Sequence, residues 1–450
     1  MSRRFLRRAA TALALSSLLV PLAACGGGDD GDSATSGTVT LRYGMWDEVQ
    51  KDPIRKSLDA FTQAHPDIKV EIELNPWDQY WSKLQTQLAG KSAPDVFWDH
   101  VAYFPQFAQQ GVLTDLTADI AADKVDTSLY PQTLADSWKQ DGKTYGLPKD
   151  WDTIGLIYST KALGKAGLKA TDLANLSWNT TDGGTFVQAL QKLTVDKNGK
   201  HPNEAGFDDK NVKQYGLALQ APTGQQDWWN FGLQNGCKLQ DAPWGKWTID
   251  SPACVQAIQF VQDLRLKYHV AVPASVTNPP NGPSLDQVLG RGQAATSMDG
   301  SWMLRSYNTA LPDGGFGVAD LPKGPAGSGT VFNGLSEAIS AGSKHPKEAW
   351  ELVKYLASAE HQKIMAGSGT VWPGISSLNQ DFAEAWKAKG VDVTGFKAAA
   401  EGTTMGYPLT SSSATYNVKA LDAFNQVWLG KLSPGAAAKQ VNDASNAAIK

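Results

Sequence analysis

Cysteine is scarce in this sequence, and neither sign of charge is in clear excess. Three cysteines in 450 residues exclude a small domain held together by disulfide bonds. The 41 lysine and arginine residues against 45 acidic residues give a formal charge of −4, which argues against a nucleic-acid-binding protein because such proteins usually carry a basic excess. Since 42% of the residues are hydrophobic and only 19% are charged, we expect a globular chain rather than a disordered one.

Motifs for metal-dependent or nucleophilic catalysis are also missing. The six histidines include no pair at metal-ligand spacing, and neither H-E-x-x-H nor G-x-S-x-G occurs. Gly26, Gly28 and Gly31 fit G-x-G-x-x-G, but no strand pattern precedes them and no helix pattern follows, so a phosphate-binding loop is not expected. A glycosidase needs only two carboxylates in one cleft, and the sequence leaves that possibility open.

Residues 1–24 have the composition of an export signal. Four arginines precede a nearly unbroken run of Ala, Leu, Ser and Val at residues 9–22, which is typical of a secretory signal and short for a membrane span. Leu22-Ala23-Ala24-Cys25 then resembles the bacterial lipobox, whose cysteine is lipid-modified after cleavage in front of it. We therefore expect removal of residues 1–24 and a lipid anchor at Cys25. The alternative is an ordinary signal peptide with an incidental cysteine.

Residues 25–37 are expected to form a flexible tether, because Gly, Asp, Ser and Thr dominate and no large apolar residue is present. Export also bears on Cys237 and Cys254, which would then lie in an oxidising compartment. We expect them to form a disulfide, and closing a loop of this size stabilises by about 3 kcal/mol on the chain-entropy model. A zinc site or a thiol nucleophile has less support, because no C-x-x-C and no nearby histidine is present.

Strand and helix patterns alternate along the mature chain. Period-two alternation predicts strands at residues 39–43 and 68–74, and Asp52-Pro53 predicts a helix start between them. Further strands are expected at 96–98, 153–158, 215–219, 294–298 and 331–340, with helices at 185–193, 255–266, 347–356 and 418–429. This order predicts an α/β fold of two lobes, each a mostly parallel sheet covered by helices, with a ligand cleft between them.

The expected lobe boundaries follow from the positions of these patterns. The first lobe would comprise residues 38–150 and about 300–348, and the second 151–299 and about 349–450. In open α/β sheets, ligands lie beyond the carboxyl ends of the strands. Residues that directly follow the predicted strands are therefore the first candidates for a binding site.

Several sequence blocks together resemble a known family. They are FTQAHPDI (61–68), YWSKLQTQLAGKSAPDVFW (80–98), YGLPKDWDTIGLIYST (145–160) and GQAATSMDGSW (292–302). In this order they are similar to the extracellular solute-binding proteins of bacterial ABC importers, specifically the carbohydrate-binding branch that includes maltose-binding protein. The resemblance implies two lobes joined by crossing segments, closure on a ligand between them, and delivery to a membrane permease powered by a cytoplasmic ATPase.

Carbohydrate recognition calls for flat aromatic surfaces against C–H faces and for carboxylates or amides against hydroxyls. A tryptophan next to an acid recurs at predicted strand ends, with Trp98-Asp99 as one example. Trp46 and Asp47 could also pack and cap a helix, Asp99 could also cap one, and one of Trp228 and Trp229 is expected in the core. The resemblance implies that Trp302 lies in the cleft. The expected ligand-binding residues are Trp46, Asp47, Asp99, Trp151, Asp152, Trp228, Trp229, Asp299, Trp302, Asn333, Trp372 and Tyr407.

We therefore expect a lipid-anchored binding protein on the outer face of the cytoplasmic membrane. It would capture a carbohydrate, a di- or oligosaccharide, and deliver it to an ABC transporter permease. We expect a monomer without cofactor, metal, catalytic residue or nucleic-acid partner. The alternatives are a protein of the same fold for a non-sugar solute, an exported glycoside hydrolase, and a surface adhesion lipoprotein.

Overall fold

The computed structural model describes residues 37–220, 223–277 and 282–449. The expected signal peptide, the expected lipid site at Cys25 and tether residues 25–36 lie outside the described residues. The strands are β1 (Val39–Met45), β2 (Ile68–Leu74), β3 (Val96–His100), β4 (Lys139–Gln140), β5 (Lys143–Thr144), β6 (Gly146–Ser159), β7 (Val195–Asp196), β8 (Val212–Ala218), β9 (Ala294–Gly300), β10 (Phe316–Ala319), β11 (Thr330–Ile339), β12 (Trp372–Pro373) and β13 (Thr404–Gly406). The helices are α1 (Glu48–Ala64), α2 (Trp77–Ala89), α3 (Phe104–Gln110), α4 (Thr117–Ala122), α5 (Gln132–Asp136), α6 (Thr160–Lys165), α7 (Gly184–Leu193), α8 (Trp228–Gln234), α9 (Pro252–Leu266), α10 (Ala274–Thr277), α11 (Leu285–Gly290), α12 (Leu304–Ala310), α13 (Pro346–Leu356), α14 (Ala359–Gly367), α15 (Asn379–Lys387), α16 (Thr394–Glu401), α17 (Ser413–Trp428) and α18 (Pro434–Ala447).

A mixed sheet runs through the molecule in the strand order β2-β1-β3-β11-β6-β9-β8-β7. Strand β1 is parallel to β2 and β3 at one end, and β8 is parallel to β9 at the other. The long strands β6 and β11 run antiparallel to each other and to β9 and β3, respectively. We call β1–β3 with the elements packed on them the first half of the sheet, and β8–β10 with theirs the second half. Strands β6 and β11 connect the halves.

Strand β6 is longer than its sequence pattern predicted. It spans 14 residues, and all of them are buried. Its first part pairs with β11, where Asp152 lies opposite Asn333, and its later part pairs with β9, where Ile154 lies opposite Gly300. Only residues 153–158 were expected as strand, because the polar and proline-containing stretch before them hides the strand pattern. The extension places Asp150 and Asp152 inside the strand that passes between the halves.

Helix α1 begins earlier than expected. The side chain of Asp47 accepts a hydrogen bond from the main-chain N–H of Val49 at 2.8 Å and caps the helix, so the predicted start at Asp52-Pro53 is wrong. Capping by an acid at the end of β1 satisfies a free N–H of the first turn, and Pro53 is accommodated inside the helix. Ile54, Leu58 and Phe61 form a buried apolar face on α1, and His65 is the C-terminal cap of the helix.

The apolar clusters correct the expected lobe boundaries. Helices α13 and α14 pack into a cluster with β1 and β3 through Trp350, Leu352 and Met365. Residues 349–365 therefore belong with the first half, whereas the expectation assigned them to the second. Conversely, β10 pairs with the later part of β6, and Tyr307 and Phe316 pack in a cluster with residues of the second half. The chain crosses between the halves at β11 and returns near β12, later than the sequence pattern indicated.

The predicted disulfide between Cys237 and Cys254 is present, with an S–S distance of 2.02 Å. It joins the segment after α8 to α9 in the second half of the sheet. Among the residues that the structure describes, no helix is both long enough and apolar enough to cross a bilayer.

Candidate functional site

The first group of candidate residues lies where β6 crosses between the halves. Burial raises the pKa of Asp152 to about 8, the nearby Asp150 adds to this, and a hydrogen bond from Ser301 Oγ at 2.9 Å opposes it. Asp47 lies close enough to raise the pKa of both carboxyls further. Lys149 is buried against Asp150 and also donates to Gln50 Oε1 at 2.8 Å. The carboxyl groups of Asp47, Asp150 and Asp152 therefore lie near one another and near the buried side chain of Lys149.

Asp47 fills one of the two roles considered from the sequence, that of a helix cap. Its Oδ1 caps α1, and its Oδ2 accepts from the side-chain amide of Gln50 at 3.0 Å. The carboxylate also acts electrostatically on Asp150, Asp152 and the guanidinium of Arg305. Arg305 had not been identified from the sequence. These interactions connect the segment after β1, the crossing strand β6 and α12. We call the region among the side chains of Asp47, Asp152 and Arg305 the gap.

Asn333 lies in β11 directly opposite Asp152. Its side-chain Nδ2 is 3.1 Å from Nε2 of His100, while Nδ1 of His100 accepts from the main-chain N–H of Ala102 at 3.0 Å. Burial lowers the pKa of His100 to about 3, so the imidazole is neutral and offers uncharged hydrogen-bonding groups. His100 was not among the expected site residues, because the sequence patterns considered for histidine were those of metal ligands. Its position at the end of β3 was the available signal.

The segment that follows β9 holds the most exposed of the expected platforms. Asp299 accepts from the main-chain N–H of Gly300 at 2.8 Å, from Tyr307 Oη at 2.9 Å and from the side-chain amide of Gln226. Burial raises its pKa to about 6, against the effect of these hydrogen bonds. A Cβ on Gly300 would lie 2.2 Å from the ring of Trp302, so the glycine allows the indole to lie against the backbone. The Trp302 side chain is 37% exposed.

Aromatic side chains line the first half beside this gap. The half-buried ring of Trp46 lies 4.9–5.3 Å from the rings of Trp77, Tyr80, Trp81 and Trp98, measured between centroids. Trp77 is 44% exposed. We call these five residues the first-half aromatic cluster. Trp46 was among the expected ligand-binding residues, whereas Trp77 was not, and Trp81 is mostly buried.

Two ring contacts connect the halves of the sheet outside the crossing strands. The ring of Tyr407 lies 5.6 Å from His100 and 5.2 Å from Trp229. The ring of Trp244 lies 6.1 Å from Phe104. Tyr407 was expected to bind the ligand, and that role stays a prediction. Trp244 was not identified from the sequence, because nothing in its local pattern distinguishes it from a loop residue.

Four tryptophans among the expected ligand-binding residues lie in the core. Trp151 stacks on Trp372 with ring centroids 4.7 Å apart, and both are at most 1% exposed. Trp228 packs against Phe424, and Trp229 donates from Nε1 to Tyr416 Oη at 2.9 Å. Because neighbouring residues of a strand point to opposite faces, Trp151 cannot face the gap together with Asp152. The expectation that one of Trp228 and Trp229 would be a platform is also wrong, since both are fully buried.

Asp99 is separated from the other candidate acids. It lies within β3 rather than after it, its side chain is fully buried, and neither carboxyl oxygen has a partner of normal hydrogen-bond geometry among the described residues. Burial raises its pKa well above the ordinary value, against a smaller effect of the main-chain N–H of His100. Its charge acts on Tyr80. The expectation that Asp99 caps a helix or faces the ligand is therefore not met in this structure.

Comparison with known proteins gives one consistent result. The chain is 29% identical to a probable ABC transporter-binding protein of Deinococcus radiodurans over 86% of this chain and 88% of that one. It is 25% identical to a galactooligosaccharide-binding protein of Bacillus subtilis over 80% of this chain and 79% of that one. The structure of M. tuberculosis UspC covers 91% of this chain and matches over 100% of its own length, with 30% identity and a TM-score of 0.75.

These similarities confirm the two-lobed α/β fold with a cleft between the lobes. The model of the bacterial extracellular solute-binding protein family matches residues 46–363. This match spans both halves of the sheet and every expected site residue except Trp372 and Tyr407. The chain therefore belongs to the bacterial extracellular solute-binding protein family.

Proposed function

We propose that this protein captures a carbohydrate, a di- or oligosaccharide, outside the cytoplasmic membrane and delivers it unchanged to the permease of an ABC importer. The Deinococcus relative is described as an ABC transporter-binding protein and the Bacillus relative as a galactooligosaccharide-binding protein. Both cover most of this chain, which supports transfer of the role. The particular sugar is not part of the proposal.

The observation that carries the proposal is the segment from Asp299 to Trp302. It combines an exposed indole with the buried side chain of Asp299, and Ser301 hydrogen-bonds to the carboxyl group of Asp152 on the crossing strand. An indole face suits the C–H surface of a pyranose ring, and carboxylates accept strong hydrogen bonds from sugar hydroxyls. Asp47, Asn333, His100 and Trp46 extend the same chemistry to the other side of the gap.

Closure of the lobes is part of the proposed mechanism. The first lobe would comprise about residues 38–150 and 333–373, and the second about 151–332 and 374–449, which revises the expected boundaries according to the packing described above. The contacts of Tyr407 with His100 and of Trp244 with Phe104 join the lobes. A sugar that contacts both sides would favour the closed arrangement over the open one.

Anchoring is proposed from the sequence alone. Cleavage before Cys25 and lipidation of its thiol would hold the binding protein on the outer face of the membrane, near its permease. Two acyl signals give stable attachment, whereas a single chain holds only marginally. Radiolabelled palmitate should enter the wild-type protein and not the Cys25→Ser variant in the native host. Equal labelling of both proteins would contradict lipidation at Cys25 but would have no bearing on ligand binding in the cleft.

The test of the function is a thermal-shift screen followed by calorimetry. Ligands that prefer the folded state raise the melting temperature, so at least one di- or oligosaccharide should raise it, while peptides, polyamines and metal complexes should not. Chromatography of the bound sugar after prolonged incubation should recover it intact. A response confined to non-sugar solutes, or hydrolysis of the sugar, would overturn the proposal in favour of the corresponding alternative.

A further inference from the structure

A large groove lies on the second lobe, away from the candidate cleft. Its volume is about 910 Å³, and its walls come from α6, the end of α7, strands β7 and β8, and the segment after α11. None of the residues assigned to the carbohydrate cleft lines it. The groove is therefore separate from the cleft, and the proposed binding of a carbohydrate does not involve it.

The lining of the groove is strongly basic. Six cationic side chains surround it, and in the part of the chain that the structure describes none of them makes an ion pair with an acid within 4.0 Å. All six are exposed. They are Lys161, Lys165, Lys192, Lys197, Lys213 and Arg291.

Asp196 is the acid that lines the same groove, and it does not neutralise these cations. Its side chain is 1% exposed. Its Oδ1 accepts from the main-chain N–H groups of Asn198 and Lys200, at 2.8 and 2.9 Å, and its Oδ2 accepts from that of Asp208 at 2.9 Å. The carboxylate is occupied in fixing the turn after β7. The positive charge of the groove thus remains available to a ligand.

This charge distribution is unusual for the chain that carries it. The whole sequence has a formal charge of −4, yet six cations meet around one cavity. Lys161 and Lys165 stand one turn apart on α6, where like charges repel and destabilise the helix. Concentrated charge of one sign disfavours the compact state unless a counter-ion compensates it, and it raises the local concentration of oppositely charged ligands.

We propose that this groove binds a ligand carrying several phosphate groups. Six cations match a polyvalent anion better than a single carboxylate, and ammonium groups bind phosphate as point charges. Buried apolar side chains, among them Leu193 and Leu289, also line the groove. They would contact the non-ionic part of such a ligand. The phosphates could belong to the headgroups of anionic lipids or to a soluble polyphosphate, and both share the same recognition chemistry.

The experiment uses the purified protein at low and at physiological salt. Calorimetry with sodium tripolyphosphate tests the soluble source, and flotation with vesicles of phosphatidylglycerol, against vesicles of phosphatidylcholine alone, tests the lipid source. Wild-type protein should bind at least one of the two phosphate probes, and more weakly at higher salt because salt screens exposed charges. Binding of one probe only identifies the source. Binding of neither at low salt would overturn the proposal.

A matched pair of variants locates the site. The triple variant Lys161→Glu, Lys192→Glu, Arg291→Glu reverses charge at the groove, and Arg55→Glu, Lys56→Glu, Lys419→Glu makes the same change at exposed positions elsewhere. Groove reversal should weaken phosphate binding by at least about tenfold, and the control by less than about threefold. Equal weakening by both variants would show a general charge effect and overturn the site. Carbohydrate binding should survive in the groove variant, so this result is independent of the proposed function.

Discussion

Trp302 and Trp372 were expected from the sequence for the same reason, as flat surfaces for a sugar ring, but the structure gives them opposite environments. Trp302 lies against the backbone of Gly300 and is 37% exposed. Trp372 is fully buried between Trp151 and Phe382, with ring centroids 4.7 and 4.3 Å away. One indole is partly exposed to solvent, whereas the other fills the core beneath the crossing strands.

The difference follows from the geometry of the backbone around each residue. A tryptophan and an acid that are neighbours in a strand point to opposite faces, as Trp151 and Asp152 do. The pair Asp299 and Trp302 is separated by three positions and by the end of β9, so both can reach one gap. We therefore expect a tryptophan near an acid to share a binding site with it only where the strand has ended.

The largest difference between the two indoles should appear in stability. Trp372→Ala removes a buried aromatic side chain and should lower the free energy of unfolding by about 3–5 kcal/mol. Trp302→Ala should lower it by less than about 1 kcal/mol, because much of the side chain is already in contact with water. Urea unfolding of both variants measures this. If Trp372→Ala fails to fold, Trp372→Phe should fold and show a smaller loss of the same sign.

For carbohydrate affinity we expect the opposite order, with a larger effect of substitution at Trp302 than at Trp372. Trp302→Ala should weaken binding of the best sugar by at least about tenfold, or about 1.4 kcal/mol, with an unchanged circular dichroism spectrum. Trp302→Phe keeps an aromatic face and should retain part of the affinity. The folded fraction of Trp372→Phe should bind like wild type. Unchanged affinity in Trp302→Ala would remove this residue from the site, and loss of affinity in Trp372→Phe at full folding would place the core indole in it.

Much of the fold could be predicted because its periodicity is local. The strand at Ile68–Leu74 alternates strictly and has the expected bounds. Helix α7 begins one residue before the expected position and ends at the expected one. The start of α1 was missed because two acids each offered a cap, and the choice depends on where β1 ends. Likewise, the polar residues before Thr153 concealed the first part of β6.

The candidate site could be predicted only in part, because its contacts join distant parts of the chain. Asp47 acts on Asp152 across the gap, and the ring of His100 lies near that of Tyr407, more than 300 positions away. No local pattern specifies such pairs. The lobe boundaries depend on the same information, since α13 returns to the first lobe only because its apolar face fits the cluster of β1 and β3.

The acids of the gap offer a smaller effect, which depends on pH. The pKa of Asp152 is about 8 in the folded protein and about 3.9 in an unfolded chain. Between these values the folded state holds a proton that the unfolded state has lost, so stability falls as pH rises from about 4 to about 8 and changes little above that. Asn cannot titrate. Without ligand, Asp152→Asn should melt about 2 °C or more above wild type at pH 9 and show no such gain at pH 5.

The control for this effect is Asp59→Asn, since Asp59 is exposed on α1. Its melting temperature should follow wild type at both pH values. A difference between Asp152→Asn and wild type that is equal at pH 5 and pH 9 would mean that the carboxyl of Asp152 is not held in its protonated form by burial in the gap.

The smallest effect is expected at Asp99, which resembles Asp299 in sequence but not in surroundings. Burial raises the pKa of Asp99 well above its ordinary value and so favours the protonated carboxyl group, whose shape Asn nearly reproduces. Asp99→Asn should therefore change sugar affinity by less than about twofold, whereas Asp299→Asn should weaken it by at least about fivefold, because a hydroxyl loses a charge-assisted acceptor. Calorimetry with the same sugar compares them. A larger loss at Asp99 than at Asp299 would mean that strand β3 contributes its acid to the ligand and that the lobes open further than these contacts suggest.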